Sequence, residues 1–207
     1  MTQPKAVVFD IGNVLIEWQP ERYYDRRIGE AGRRALFAEV DLHGMNDRID
    51  AGARFRDTVY ETAEDHPKWA EQIRWWFDDW IALASPRIDR SIRLLRALRG
   101  RGVPVFALTN FGDDSFAYAC TQYKFLAEFD RAYVSGRMGV TKPSPQIYAM
   151  LEEDCGLPPT ELLFTDDRPE NIEVAAARGW GVHHFTGAEG WARALVAAGL
   201  LNEAEAA

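Results

Sequence analysis

Five short runs rich in Val, Phe, Leu and Thr punctuate this sequence: Lys5 to Phe9, Val103 to Leu108, Ala132 to Ser135, Leu162 to Thr165 and Gly181 to Phe185. Short apolar runs of this kind mark strands buried in a sheet, without the alternation of a strand that has one wet face. Helix-length segments separate most of them. Ile88, Ile92, Leu95 and Leu98 recur at steps of four and three before Gly100, and Ile147, Met150 and Leu151 follow Pro143 and Pro145. A third helix, Asn171 to Arg178, is closed by Gly179. Strands alternating with helices predict an α/β fold, a doubly wound, Rossmann-like parallel sheet that takes ligands at the carboxyl ends of its strands.

The alternation breaks once. Roughly 90 residues separate Phe9 from Val103, far more than a crossover needs. The intervening stretch has no strand pattern and several helical ones, the clearest being Trp69, Ile73, Trp76 and Trp80. The expected organisation is therefore an α/β core of residues 1–16 and 87–207 with a small helical cap inserted at 17–86. Four of the seven tryptophans fall between Trp69 and Trp80, and they read as the insert's own core rather than as a stacking surface for a ligand.

Composition removes several function classes. With 32 acidic against 24 basic side chains, a formal net charge of −8, the chain has too few cations for sequence-independent nucleic-acid binding. No apolar run approaches the ~18 residues of a membrane span. Met1 to Pro4 lack the pattern of a secretory signal, and Cys120 and Cys155 form no disulfide framework or metal clip. A cytoplasmic protein with no nucleic-acid or membrane partner is the expectation; the oligomeric state is open.

The chemistry-bearing residues sit where the strands end. Asp10 follows the first strand at a turn that Gly12 and Asn13 can negotiate. Thr109 and Asn110 end the second, offering a hydroxyl, a carboxamide and backbone N–H groups to a phosphate oxygen. Lys142 follows a turn-rich run, Gly136 to Thr141, and brings an ammonium to the same sheet edge. Asp166 and Asp167 end the fourth strand as adjacent acids, which repel each other unless a cation or proton intervenes; hard oxygen ligands favour Mg²⁺.

These four positions in this order resemble the motifs of the haloacid dehalogenase superfamily. Thr141 to Tyr148 (TKPSPQIY) and Phe164 to Ile172 (FTDDRPENI) are similar to the third and fourth motifs of its phosphatase-like branches, in which a helical cap follows the first strand. The resemblance implies Mg²⁺ dependence, a small phosphorylated metabolite as substrate, sugar phosphates among the candidates, and an aspartyl-phosphate on Asp10. It makes Asp10 and Lys142 the catalytic pair, assigns phosphate binding to Thr109, Asn110 and Lys142, and assigns the metal to Asp10, the Gly12 carbonyl and Asp166, Asp167 or both.

The sequence departs from that pattern at Gly12, where most phosphatases of the superfamily carry a second Asp that protonates the leaving alcohol. General acid–base help is commonly worth ~10²–10⁴ in rate, so slow turnover is expected unless Glu17, Asp47, Asp50 or a water substitutes. Gly12 also leaves open a metal-independent 2-haloacid dehalogenase, since a halide leaves without a proton, and a binding module that has lost turnover. The Asp166–Asp167 pair argues against the dehalogenase, because without a cation it would repel a substrate carboxylate.

Other polar residues read as structural. His183 and His184 are adjacent on a strand and point to opposite faces, so they cannot both enter one site. Gly179-Trp180-Gly181 lacks the setting of a dinucleotide loop. Arg22, Arg26 and Arg27 alternate with acids on a solvated helix face. His43 to Gly52 reads as a polar loop of the insert able to reach a substrate, with Arg48 and Arg54 as surface residues that could alternatively meet a second substrate anion.

Overall fold

The computed structural model describes residues 3–207, so expectations touching Met1 and Thr2 lie outside the described residues. The five strands form one parallel sheet in the order β3-β2-β1-β4-β5: β1 Ala6–Phe9, β2 Val105–Thr109, β3 Arg131–Val134, β4 Leu162–Asp166 and β5 Gly181–His184. β1, β2 and β4 are buried along their whole length, which is why they read as continuous apolar runs. The edge strands β3 and β5 are partly exposed.

Alternate strand residues feed two apolar layers. Val7, Phe9, Val105 and Ala107 meet the helices α6 (Asp89–Gly100), α7 (Asp113–Gln122) and α11 (Ala188–Ala197). Ala6, Val8, Phe106, Leu108 and Phe164 meet α9 (Pro145–Cys155) and α10 (Pro169–Ala177). Period-two side-chain alternation thus builds a core on each face of the sheet. β1 lies between β2 and β4, and the chain winds outward from it in both directions, so a crevice opens beyond the carboxyl end of β1.

Five helices occupy the interval between β1 and α6: α1 Pro20–Glu39, α2 Leu42–Asp50, α3 Phe55–Asp65, α4 Ala70–Asp78 and α5 Trp80–Leu83. α1 kinks at Gly29, whose φ of 72° interrupts the helical backbone. The remaining short helix, α8 Ser135–Met138, begins where the sequence suggested that β3 would still continue. Pro143 likewise lies outside α9, which starts at Pro145 with Ser144 as its N-cap.

Two expectations for the insert change. His43 to Gly52 is not a loop: Leu42 to Asp50 is α2, capped by the Asp41 carboxylate accepting from the Gly44 N–H at 2.8 Å. Its short apolar stripe, Leu42, Met45 and Ile49, is buried. The tryptophans also divide: Trp76 and Trp80 are buried, whereas Trp69 and Trp75 are half-buried, packed against the core. Their apparent single period runs across a short 3₁₀ turn and both α4 and α5.

Candidate active site

A cavity of about 410 Å³ opens at the carboxyl ends of the central strands, between the sheet and the helices of the insert. Asp10, Gly12, Thr109, Asn110, Lys142 and Asp167 all line it, brought together from four separate stretches of sequence. The parallel register sets these residues side by side, pairing Phe9 with Ala107 and with Thr165. The residues that follow therefore leave the sheet at one level, and the Asp10 N–H donates to the Thr165 carbonyl at 2.9 Å.

Lys142 is the hub of the site. It is only 4% exposed, and its Nζ donates to Asp10 Oδ1 at 2.9 Å and to Asp166 Oδ2 at 2.6 Å. Burial pulls the Lys142 ammonium towards neutrality, but the flanking Asp10 and Asp166 outweigh it and hold its pKa above the ordinary value. Asn110 holds the lysine's main chain, its carboxamide donating to the Lys142 carbonyl at 2.9 Å and accepting from the Lys142 N–H at 2.8 Å. The Asn110 carboxamide is thus engaged with the backbone of Lys142, while Thr109 and Asn110 both line the cavity.

Asp10, Asp166 and Asp167 each offer an oxygen within 4.8 Å of the others. The two adjacent acids are not equivalent. Asp166 is fully buried behind the cavity wall, where it accepts from Lys142, from Asn171 Nδ2 at 2.9 and 3.0 Å, and from the Arg168 N–H at 2.8 Å. Asp167 faces the cavity, with one oxygen accepting from Asn13 Nδ2 at 2.9 Å.

Three carboxylates around one ammonium leave an excess of two negative charges. Asp10 registers this: burial, with Asp166 and Asp167 adding to it, pushes its carboxyl up to about 7 against the opposing pull of Lys142. Asp167 is raised as well, chiefly by burial. The donor set suits a hard dication, which would cancel the excess charge. One further atom fits a hydrated ion, since Asn171 Oδ1 is buried and unpartnered at the cavity.

Asn13 and Asn171 are site residues that the sequence reading did not single out, although both sit in the motif stretches around Asp10 and Asp166. Asn13, at a positive φ of 52°, also accepts from the Trp18 N–H at 3.0 Å, which closes the turn after β1. The signal was an amide shortly beyond each carboxylate, three residues after Asp10 and five after Asp166.

Residues set aside as structural stay outside the cavity. His183 contacts the Thr165 hydroxyl at 3.1 Å and lies against Trp191, and burial pushes its pKa down; His184 reaches the Asp167 carbonyl at 3.0 Å. Arg48 donates to Thr62 within the insert and Arg54 pairs with Asp57, so neither addresses a second substrate anion. Trp80 does more than fill the insert's core, because together with Trp18 it walls the cavity.

A D-ribitol-5-phosphate phosphatase of Bacteroides thetaiotaomicron is 22% identical, with 92% of this chain and 96% of that protein aligned. A sesquiterpene phosphatase of Aspergillus oryzae is 25% identical over 88% of this chain and 90% of its own. Among solved structures, a haloacid dehalogenase family enzyme of B. thetaiotaomicron superposes with a TM-score of 0.73 at 25% identity, covering 94% of this chain and 99% of that one. That enzyme has also been solved with magnesium and inorganic phosphate. Residues 4–179 match the family described as haloacid dehalogenase-like hydrolase, and with its fold and its ordered sheet-edge residues this chain belongs to that family.

Proposed function

We propose that this protein is a Mg²⁺-dependent phosphatase of small phosphorylated metabolites, working through an aspartyl-phosphate on Asp10. The observation that carries the reading is the cluster of Asp10, Asp166 and Asp167, with the buried Lys142 bridging Asp10 and Asp166, beside a cavity large enough for a small metabolite. The named activities of the two aligned relatives support the reaction class. The dehalogenase reading loses ground on charge, because two excess negative charges oppose a substrate carboxylate.

Asp10, the Gly12 carbonyl and Asp167 would hold the magnesium ion directly, with Asp166 behind them fixing Lys142 and Asn171 beside them. The bound ion offsets negative charge, so that an anionic nucleophile can approach an anionic ester. The chain's own residues do the rest. Lys142 and the Thr109 hydroxyl hold the phosphoryl oxygens, while Asp166 and Asn110 fix Lys142 by its two ends. The Asp10 oxygen not engaged by Lys142 attacks phosphorus, and the bond to the leaving oxygen breaks. Water then attacks the aspartyl-phosphate and frees Asp10.

The helical insert 17–86 acts as the cap in this reading. His43, Asn46, Asp47 and Asp50 fall at steps of three, one and three along one face of α2, and all four line the cavity. Trp18, Trp80 and Phe111 also line the cavity, so polar and aromatic side chains together would surround the leaving group. A reducing, cytoplasmic setting accords with two separate free thiols, Cys120 and Cys155.

The reaction is tested by phosphate release from a panel of phosphomonoesters with Mg²⁺ and again with EDTA. EDTA should abolish turnover, and Asp10→Asn should lower it by about 10⁴-fold or more, as loss of a nucleophile does. Turnover undiminished by either treatment would refute the mechanism.

A further inference from the structure

The proposed reaction needs a proton for an alkoxide leaving group, and position 12, where the superfamily usually keeps its acid, carries no side chain. The space beside it is open: a Cβ on Gly12 would meet nothing within 4 Å. The three carboxylates that the sequence offered as substitutes have different fates. Glu17 pairs with Arg22 at 2.8 Å and does not line the cavity. Asp47 lines it but is exposed to solvent. Asp50, one turn further along α2, lines it and is partly buried.

Asp50 is also firmly held. Its Oδ2 accepts from Asn46 Nδ2 at 2.9 Å, and Asn46 Oδ1 in turn accepts from the indole N–H of the buried Trp76 at 3.1 Å. Its main-chain carbonyl accepts from the fully buried Ser135 hydroxyl at 2.6 Å, while the same hydroxyl accepts from the Phe111 N–H at 2.9 Å. The end of α2 is thereby tied to the loop that follows Thr109 at the end of β2 and begins with Asn110. The chains pass so closely that a Cβ on Gly112 would come within 2.5 Å of Ile49. A carboxyl fixed in this way can serve a reacting atom without first being ordered.

We infer that Asp50 protonates the leaving oxygen and then takes a proton from the hydrolytic water, supplying from the insert what position 12 lacks. The inference rests on the phosphatase reading above. As the bond between phosphorus and the leaving oxygen breaks and Asp10 bonds to phosphorus, the Asp50 carboxyl proton passes to the leaving oxygen. The resulting carboxylate accepts a proton as water bonds to phosphorus and Asp10 departs. Both groups return to their starting states. Burial, with Asp47 and then Asp10 adding to it, raises the Asp50 carboxyl to about 7 against the pull of the Gly112 N–H and Asn46, a value that suits both tasks near neutral pH.

The test compares first turnovers of full-length wild type and Asp50→Asn with Mg²⁺, using p-nitrophenyl phosphate and an alkyl phosphomonoester that the wild type hydrolyses. With the alkyl ester, Asp50→Asn should slow the first turnover by ~10²–10⁴. With p-nitrophenyl phosphate, whose leaving group needs no proton, it should release a near-stoichiometric burst of p-nitrophenol and then stall at aspartyl-phosphate hydrolysis. Adding Gly12→Asp to Asp50→Asn should recover alkyl turnover, since the space for that side chain is open. Equal slowing of both first turnovers, or an unimpaired alkyl reaction, would overturn the inference. A second measurement needs no variant. Across aryl phosphates of increasingly basic leaving groups, the wild-type first-turnover rate should fall shallowly; a steep fall means that no proton donor acts. Failure of the phosphatase reading itself would look different, as wild type would then release no phosphate from any ester with Mg²⁺.

Discussion

At the scale of single residues, two neighbouring carboxylates carry different burdens. Asp166 is buried and bound to a buried cation, so Asp166→Asn leaves Lys142 short of a partner in a medium that solvates charge poorly. Breaking a buried ion pair from one side commonly costs about 3–5 kcal/mol, and urea unfolding of the metal-free protein should register a loss of that order. Asp167 faces the cavity, and its raised pKa says that the fold disfavours its charge, mainly through burial. Asp167→Asn should therefore raise the melting temperature in EDTA while weakening Mg²⁺ binding by roughly 10-fold or more, the loss that even outer partners of a metal site produce. Calorimetric titration with Mg²⁺ separates the two variants. The sequence placed both acids at the strand end; their inequality comes from Asn171, Arg168 and Lys142 converging on one of them.

At the scale of elements, α2 is where sequence reading failed and where the proposed chemistry depends most on folding. Four of the ten residues from His43 to Gly52 are ionisable acids or bases facing water or the cavity, and Gly44 breaks helix propensity, so the segment reads as a loop. The Asp41 cap and burial of Leu42, Met45 and Ile49 override that local preference. Trp76 links α4 to this helix through Asn46, and Trp18 packs edge-on against it at 5.6 Å. Trp76→Ala should destabilise the protein by about 3–5 kcal/mol in denaturant titration, the usual cost of emptying a buried aromatic site. Trp76→Phe should cost less stability yet still slow alkyl ester turnover, because it removes the N–H that orients Asn46 and, through it, Asp50.

At the scale of the whole molecule, the site is a concentration of unfavourable charge that the rest of the fold supports. Asp10 and Asp50 have folded pKa values near 7, above those of an unfolded chain, so the unfolded state releases these protons first as pH rises. Their contribution to stability is full below about pH 4 and is lost as pH rises through about 7. His183, pushed down by burial, has the opposite sign, and its contribution is lost as pH falls through the imidazole range; two carboxyls outweigh it. In EDTA, the melting temperature should accordingly be higher at pH 5.5 than at pH 8. Mg²⁺ should reverse that order, because the ion competes with protons for Asp10 and stabilises most where the carboxylates are ionised. A metal-free protein that is more stable at pH 8 than at pH 5.5 would contradict the charge excess assigned to the site.

The alternation of apolar runs with helical periods determined the parallel sheet, and the sheet determined that Asp10, Thr109, Lys142 and the Asp166–Asp167 pair would share one edge. Those features are local in sequence, since a strand's burial and the residue at its end are written within ten positions of each other. What only the tertiary structure decided was the setting of each group: the Asn110 carboxamide paired with the backbone of Lys142, Asp166 withdrawn behind the cavity, and α2 turned so that Asp50 enters it. These outcomes depend on contacts between residues dozens of positions apart, and on desolvation that no single segment produces alone. They remained invisible until the insert had folded back over the sheet.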